Sequence, residues 1–171
     1  MTAPPLHTIL GANGAVGRAL SRELALLPVR VRQVSRTPER ESPHNDIMVA
    51  DLLDAAATDR AIAGSRVAYL VAGLPYDAVT WVAQWPRVMQ HVLDACVRHD
   101  VRLVFLDNVY AYGAVTGVMT EETPFDPCSR KGEVRARIAT MLLEAMRTQQ
   151  VRGMIVRAGD FYAPDTTRPA V

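Results

Sequence analysis

The stretch "LHTILGANGAVG", residues 6 to 17, decides the fold. An apolar run typical of a strand leads directly into Gly11, Gly14 and Gly17, and the amphipathic pattern of a helix follows. In such a turn the first glycine permits the tight bend, the second lets the backbone approach a pyrophosphate, and the third allows the helix to pack closely on the strand. The helix N-terminus adds amide donors and a positive dipole. The stretch therefore predicts a dinucleotide-binding turn, whose contacts are Gly11, Asn13, Gly14, Ala15, Val16 and Gly17.

Strand and helix patterns alternate along the rest of the chain. Short apolar runs predict five further strands, at residues 29–34, 47–50, 66–73, 101–106 and 151–157. Helical spacing predicts a first helix over 15–27 that stops at Pro28, and others at 52–64, after Pro86 to 99, and at 132–149. This alternation predicts a parallel sheet with helices on both faces. The expected fold is α/β and doubly wound, in a single domain over residues 1–171.

The composition excludes several classes of function. The 19 Lys and Arg residues nearly balance the 18 Asp and Glu residues, so no basic surface for nucleic acid or for a membrane is expected. The sequence shows neither a signal peptide nor a spanning run of about 18 to 20 apolar residues, so we expect a cytoplasmic protein that acts on a small-molecule substrate. The histidines lack metal-ligand spacing, so no metal is expected. Trp81 and Trp85 are interpreted as core packing, and Cys96 and Cys128 as reduced thiols.

The end of the second predicted strand indicates which dinucleotide fits. An acidic residue at this point binds the ribose 2′-hydroxyl of NAD, but the sequence places Ser35 and Arg36 there. Arg36 can pair with a 2′-phosphate and Ser35 can donate a hydrogen bond to it. NADP is therefore favoured as the cofactor, with NAD possible, although Glu39 and Glu41 nearby weaken the electrostatic case.

Asp51 and Leu52 follow the third predicted strand, at the same edge of the sheet. A carboxylate here can meet the amino group of a bound adenine, and Leu52 would lie beside it. Asp51 can equally cap the helix that follows, since Asp is a preferred N-cap residue. Both interpretations stay open on the sequence alone.

Five short motifs occur in a fixed order: "GANGAVG", "ADLLD", "YLVAG", "DNVYAYG" and "VRAGDFYAP". Through them the chain resembles the extended short-chain dehydrogenase/reductase superfamily, in its NAD-dependent epimerase/dehydratase branch, over residues 6–165. The resemblance implies a Rossmann-type sheet in the order 3-2-1-4-5-6, a bound NAD(P) touched by Val71, Ala72 and Gly73, and hydride transfer between a carbinol and a ketone. It also implies a serine or threonine that orients the substrate oxygen, and a tyrosine four residues before a lysine that exchanges a proton.

This chain departs from the family at those catalytic positions. Asn108 stands where the serine or threonine would be, and its amide can still donate a hydrogen bond; Tyr112 follows in the same motif. No Tyr-x-x-x-Lys occurs, and Lys131 is the sole lysine beside eighteen arginines. If Lys131 fills the lysine position, Pro127 fills the tyrosine position. If Lys131 replaces the tyrosine, Arg135 replaces the lysine, and this alignment is preferred because it keeps both on one helical face.

Three hypotheses about function follow from these departures. The chain is an NADP-dependent oxidoreductase or epimerase/dehydratase for a small carbonyl or sugar-like substrate, with Asn108, Tyr112, Lys131 and Arg135 around the nicotinamide. Alternatively it binds the cofactor without turnover, as a sensor or a partner subunit. In the third hypothesis it is a truncated member, because the family's C-terminal substrate lobe is largely absent. A missing lobe would leave apolar surface uncovered, so a homo-oligomer is also expected.

Overall fold

A single parallel sheet organises the chain. The computed structural model describes residues 3–159, so the predicted loop at Asp160, Phe161 and Tyr162 lies outside the described residues. The strands are β1 (Leu6–Leu10), β2 (Arg30–Ser35), β3 (Asp46–Val49), β4 (Val67–Leu70), β5 (Arg102–Asn108) and β6 (Gly153–Ala158). They pair in the order β3-β2-β1-β4-β5-β6, all parallel. The predicted doubly wound α/β fold and its strand order are confirmed.

Helices cover both faces of this sheet. They are α1 (Ala15–Leu24), α2 (Ala55–Ile62), α3 (Ala78–His99) and α4 (Arg130–Arg147), with a 3₁₀ turn, η1, at Tyr110–Tyr112. A large apolar cluster joins the sheet to α2, α3 and α4, and includes Leu70, Leu103 and Phe105 from the strands. A smaller cluster, in which Ile9 and Val31 meet Leu24 of α1, lies on the opposite face. The strands alternate their side chains between these two clusters, as a covered parallel sheet requires.

The start of α3 differs from the prediction, which placed it after Pro86. The helix begins at Ala78, and Pro86 lies inside it. The Asp77 side chain accepts a hydrogen bond from an amide of the first turn, which fixes the helix start. Trp81 and Trp85, 3% and 2% exposed, bury the turns that precede Pro86. This apolar burial offsets the hydrogen bond that proline cannot donate, and both tryptophans pack in the core as expected.

The end of α1 was also wrong in the prediction, which extended it to Leu27. The helix ends at Leu24, and Leu27 is 54% exposed. Its buried residues are Gly17, Ser21 and Leu24, at four- and three-residue spacing. In the sequence, Leu26 and Leu27 continue the helical spacing of apolar residues, but in the structure both side chains are exposed.

The turn between β1 and α1 brings β1 close to the end of β4. Gly11 has φ +96°, and a Cβ atom placed on it would lie 2.4 Å from Ala72 Cα. A Cβ on Gly17 would lie 2.6 Å from the Gly11 carbonyl oxygen. The Gly11 amide donates to the Val34 carbonyl at the end of β2, 2.9 Å away. Only glycine satisfies both the positive φ and the backbone contact at position 11.

Replacing Gly11 with alanine should therefore destabilise the fold. We expect Gly11→Ala to lower the free energy of unfolding by about 2 kcal/mol or more, because a side chain at positive φ and a clash with the Ala72 backbone add together. Urea unfolding followed by circular dichroism measures the change.

The matched control is Gly73→Ala, at the end of the same crevice. Gly73 has no atom within 4 Å of an added Cβ and no positive φ, so we expect a change within about 0.5 kcal/mol. Equal losses in the two variants would contradict the assigned role of Gly11.

Candidate functional site

The carboxyl edge of the sheet forms a crevice where β1 separates β2 from β4. Ligands of doubly wound folds bind at this switch point. Within residues 3–159, α1 is the one α-helix whose N-cap makes no side-chain hydrogen bond, and its first turn holds no acidic residue. That N-cap is Gly14, which is exposed. Amide donors, a positive helix end and no competing carboxylate on the first turn fit the pyrophosphate of a dinucleotide.

The loop after β2 forms the far end of this crevice. Asn13 fixes it, since its Nδ2 donates to the Thr37 carbonyl at 2.6 Å and its Oδ1 accepts from the Glu39 amide at 3.1 Å. Ser35 Oγ accepts from the Thr37 amide at 3.2 Å. Arg36 is exposed beside them. Ser35 and Arg36 thus lie at the strand end where the sequence placed them.

Arg18 of α1 changes the charge balance of this loop. Its guanidinium pairs with Glu39 and, at 2.6 Å, with Glu41. From the sequence alone, these two carboxylates were expected to repel a 2′-phosphate bound near Arg36. Because Arg18 opposes both charges, their repulsion of a nearby anion is reduced.

Asp51 is not the helix cap that one interpretation predicted. Asp54 caps α2 instead, accepting from the Ala57 amide at 3.0 Å, and this hydrogen bond lowers the pKa of Asp54. Asp51 is exposed and accepts from the Leu53 amide at 2.9 Å. Its alternative role, contact with an adenine amino group, stays a prediction, and Leu52 lies partly buried next to it.

The end of β4 completes the predicted cofactor edge. The Val71 amide donates to the Leu10 carbonyl at 3.0 Å, which holds this segment beside β1. Ala72 lies against Gly11, and Gly73 is exposed. The structure therefore brings every sequence-predicted cofactor residue to one edge of the sheet.

A cleft of about 510 Å³ lies further along the same edge, beyond β4 and β5. It is bounded by the segment before α3, by η1 and by the first turn of α4. Its lining residues are Tyr76, Ala78, Tyr110, Ser129, Arg130 and Lys131. Of the four predicted catalytic residues, Lys131 alone is among these lining residues.

Lys131 lies against Tyr76, a residue that the sequence did not single out. Lys131 Nζ is 2.8 Å from the centre of the Tyr76 ring and 3.4 Å from the Tyr76 carbonyl oxygen. The Tyr76 and Tyr110 hydroxyl oxygens are 3.2 Å apart. The Tyr110 hydrogen bond, followed by the Lys131 charge, lowers the pKa of the Tyr76 phenol. No local motif reveals this pair, because 55 residues separate Tyr76 from Lys131.

Arg135 and Tyr112 lie in the interior, away from the cleft lining. Arg135 is 5% exposed, and its Nε donates to Asp107 Oδ1 at 2.7 Å. Tyr112 is 4% exposed, and its hydroxyl accepts from Arg157 Nη1 at 2.9 Å. Lys131 Nζ and the Arg135 guanidinium lie 5.7 and 5.5 Å from the centre of the Trp81 ring, so both face α3. Lys131 lines the cleft whereas Arg135 is buried, and a joint catalytic role for the pair stays a prediction.

Asn108 is the last residue of β5 and lies between the cleft and the buried Asp107. Its Oδ1 accepts from the Tyr110 amide at 3.1 Å, which holds η1 against the strand end. The Nδ2 group is the remaining donor of this side chain. Asn108 thus lies beside the cleft, in the same turn as Tyr110.

A buried carboxylate stabilises this part of the site. Asp107 is 1% exposed and faces two guanidinium groups: the hydrogen-bonded Arg135 and, as an ion pair at 3.4 Å without a hydrogen bond, Arg157. The Arg135 guanidinium also lies 4.7 Å from the Trp85 ring centre. Burial lowers the pKa of Arg135, and the Asp107 charge opposes that shift. One carboxylate therefore lies against two guanidinium groups.

Other side chains of the described part suggest no separate chemistry. Among residues 3–159 no three or more His, Cys, Asp or Glu side chains are grouped so that they could hold a metal ion. No helix in that range is long and apolar enough to cross a membrane. Cys96 is buried, which raises the pKa of its thiol to about 12, whereas Cys128 is exposed; both are free thiols.

Fold and crevice together define an α/β domain of the Rossmann type. The model of the NAD dependent epimerase/dehydratase family matches residues 7–170. The chain belongs to this family. No curated protein is similar enough in sequence to count as a match.

Solved structures share the fold at low sequence identity. A mutated uronate dehydrogenase superposes with a TM-score of 0.82 at 21% identity, covering 91% of this chain and 59% of its own. The UDP-glucose 4-epimerase from Thermus thermophilus, in complex with NAD, gives 0.82 at 20% identity, covering 94% and 57%. The enzyme of that name from Brucella ovis, also with NAD, gives 0.81 at 16%, covering 91% and 52%. The chain thus spans a little over half the length of these proteins.

The ion pairs of Asp107 predict which substitutions destabilise the fold most. Asp107→Asn keeps the side-chain shape but leaves the buried Arg135 and the partly buried Arg157 without an opposing carboxylate, so we expect a loss of about 3–5 kcal/mol in the free energy of unfolding. Arg135→Met should cost less, because Arg157 still opposes the Asp107 carboxylate. Urea unfolding of both variants measures the order.

Asp94→Asn, at an exposed position of α3, is the matched control, with an expected change within about 0.5 kcal/mol. A loss from Arg135→Met as large as that from Asp107→Asn would contradict the shared carboxylate.

Proposed function

We propose that the chain binds NADP in preference to NAD and takes part in hydride transfer at a carbonyl or carbinol of a small, sugar-like substrate. The observation that carries the proposal is the juxtaposition of the uncapped α1 N-terminus and the tyrosine-lined cleft at one edge of the sheet. Family membership supports a nicotinamide dinucleotide. Two of the structural neighbours, an epimerase of UDP-glucose and a uronate dehydrogenase, favour a sugar-like substrate.

Arg36 supports the preference for NADP. It follows β2 directly, is exposed, and replaces the acidic residue that binds a 2′-hydroxyl. Arg18 holds the nearby Glu39 and Glu41 in ion pairs. A 2′-phosphate would thus contact the Arg36 guanidinium and the Ser35 hydroxyl. The neighbouring carboxylates would repel it less, because both are paired with Arg18.

The cleft residues support chemistry at an oxygen atom. A bound nicotinamide supplies or accepts a hydride; the chain must then orient the substrate oxygen and move a proton. Asn108 Nδ2 is a donor for that oxygen, and Lys131 places a positive charge at the cleft wall. Arg135 acts as a positioning residue beneath them, through its hydrogen bond to Asp107.

A second candidate function is cofactor binding without turnover, as a sensor or partner subunit. The observation that favours it is that no Tyr-x-x-x-Lys occurs anywhere in the sequence. The two candidates share the cofactor and differ only in whether a substrate is reduced or oxidised.

Cofactor titration tests the proposal. We expect NADPH to bind more tightly than NADH, and Arg36→Ala to weaken NADPH about tenfold, roughly 1.4 kcal/mol, while leaving NADH unchanged. The nicotinamide fluorescence of each cofactor, titrated with protein, gives both dissociation constants.

The control is Arg30→Ala, at the opposite end of β2, where the guanidinium pairs with Asp46. It should leave both affinities unchanged. Equal affinity for NADPH and NADH in the unaltered chain, or binding of neither, would refute the NADP preference.

A further inference from the structure

We propose that Tyr76 is the phenol that exchanges a proton with the substrate oxygen, and that Lys131 is its cationic partner. An acid/base pair is thereby formed between the segment before α3 and the first turn of α4, instead of within one helix. The inference rests on the hydride transfer proposed above, and adds to it a catalytic residue for the same cleft.

The backbone around Tyr76 is fixed on both sides. Trp81 Nε1 donates to the Pro75 carbonyl at 2.9 Å, and the Asp77 amide donates to that same carbonyl at 2.7 Å. Asp77 also caps α3 through the Thr80 amide at 2.7 Å. The Tyr76 ring meets the Trp81 ring edge-on, with 5.7 Å between their centres. Tyr76 therefore occupies a defined place on the cleft wall, although it is 48% exposed.

Tyr110 connects this phenol to the end of β5. Its hydroxyl lies 3.2 Å from that of Tyr76, and its amide is held by Asn108. Gly132 lets α4 approach this turn, because a Cβ there would lie 2.6 Å from the Tyr110 carbonyl oxygen. The glycine that follows Lys131 thus allows the lysine to reach the two tyrosines. A pair of hydroxyl groups so connected can pass a proton between the cleft and water.

The charges that face the Tyr76 ring favour its phenolate. Lys131 Nζ lies over the ring, 2.8 Å from its centre, and Arg130 lines the same cleft. Asp77, the neighbouring carboxylate, accepts from the Thr80 amide and so has a hydrogen-bonded partner. A cation over an aromatic face is stabilising, and more so when the ring carries negative charge.

The proton step balances with a reduced nicotinamide as hydride donor. As the carbonyl carbon gains the hydride, the π electron pair of the C–O bond takes the Tyr76 proton. An alcohol and a phenolate result, and the nicotinamide is oxidised in that same step. Lys131 stabilises the phenolate until water reprotonates it through Tyr110. In the oxidative direction, each transfer runs in reverse.

Tyr76→Phe tests this assignment against Tyr69→Phe. The Tyr69 hydroxyl lies 3.0 Å from His7 Nδ1, outside the cleft lining. With NADPH and a panel of aldehydes, ketones and keto-sugars, we expect Tyr76→Phe to lower kcat by about 10²- to 10⁴-fold and Tyr69→Phe to leave it unchanged. Both variants should keep the NADPH dissociation constant within about twofold.

A spectroscopic titration supplies a readout that does not need turnover. A phenolate at Tyr76 should quench the fluorescence of Trp81, with which its ring is in contact. The Tyr110 ring is also stacked on Trp81, 6.4 Å away, so we expect Tyr76→Phe to reduce the amplitude of the quenching transition. In Lys131→Met the transition should move to higher pH, since removing the cation destabilises the phenolate.

The outcomes separate the inference from the proposed function. No binding of NADPH refutes both. Binding without turnover on the whole panel supports the second candidate function and overturns the catalytic role of Tyr76. Turnover that survives in Tyr76→Phe, or a quenching transition that Lys131→Met does not move, overturns the inference alone.

Discussion

The contact between Gly11 and Ala72 is the constraint on which the site depends. β1 lies between β2 and β4, so successive strands are added on both sides of it. The crevice opens at the carboxyl end of β1, where the chain connections to the two sides diverge. A residue with a side chain at position 11 would collide with the Ala72 backbone. Because all strands are parallel, the ends of β2, β3, β4 and β5 reach that same edge. Cofactor and cleft residues meet there as a consequence of topology, without any long-range sequence motif.

The second half of the site depends on buried charge. Asp107 at the end of β5 opposes Arg135 from α4 and Arg157 from β6. These ion pairs join β5, α4 and β6. They stabilise the strand end from which η1 follows and the helix whose first turn lines the cleft. Arg135 is buried against Asp107, whereas Lys131 lines the cleft. The two cations of the first turns of α4 therefore lie in different environments.

Features that depend on local sequence pattern were predicted from the sequence. Features that depend on contacts between distant residues were not. The parallel α/β fold and the glycine turn followed from alternation and spacing, and the strand order followed from the resemblance to the family. The start of α3 did not, because Pro86 suggested a boundary, whereas the Asp77 cap and two buried tryptophans hold the preceding turns. Lys131 was found because it is the sole lysine. Tyr76 was not, because its pairing with Lys131 spans 55 residues and leaves no periodic signal.

A crystal structure of the chain with NADP⁺ tests the central claim most directly. The account predicts the pyrophosphate on the amides that open α1, the 2′-phosphate at Arg36, and the nicotinamide ring beside Tyr76 and Lys131. A dinucleotide bound away from the carboxyl edge of β1 and β4, or none at saturating concentration, would contradict it.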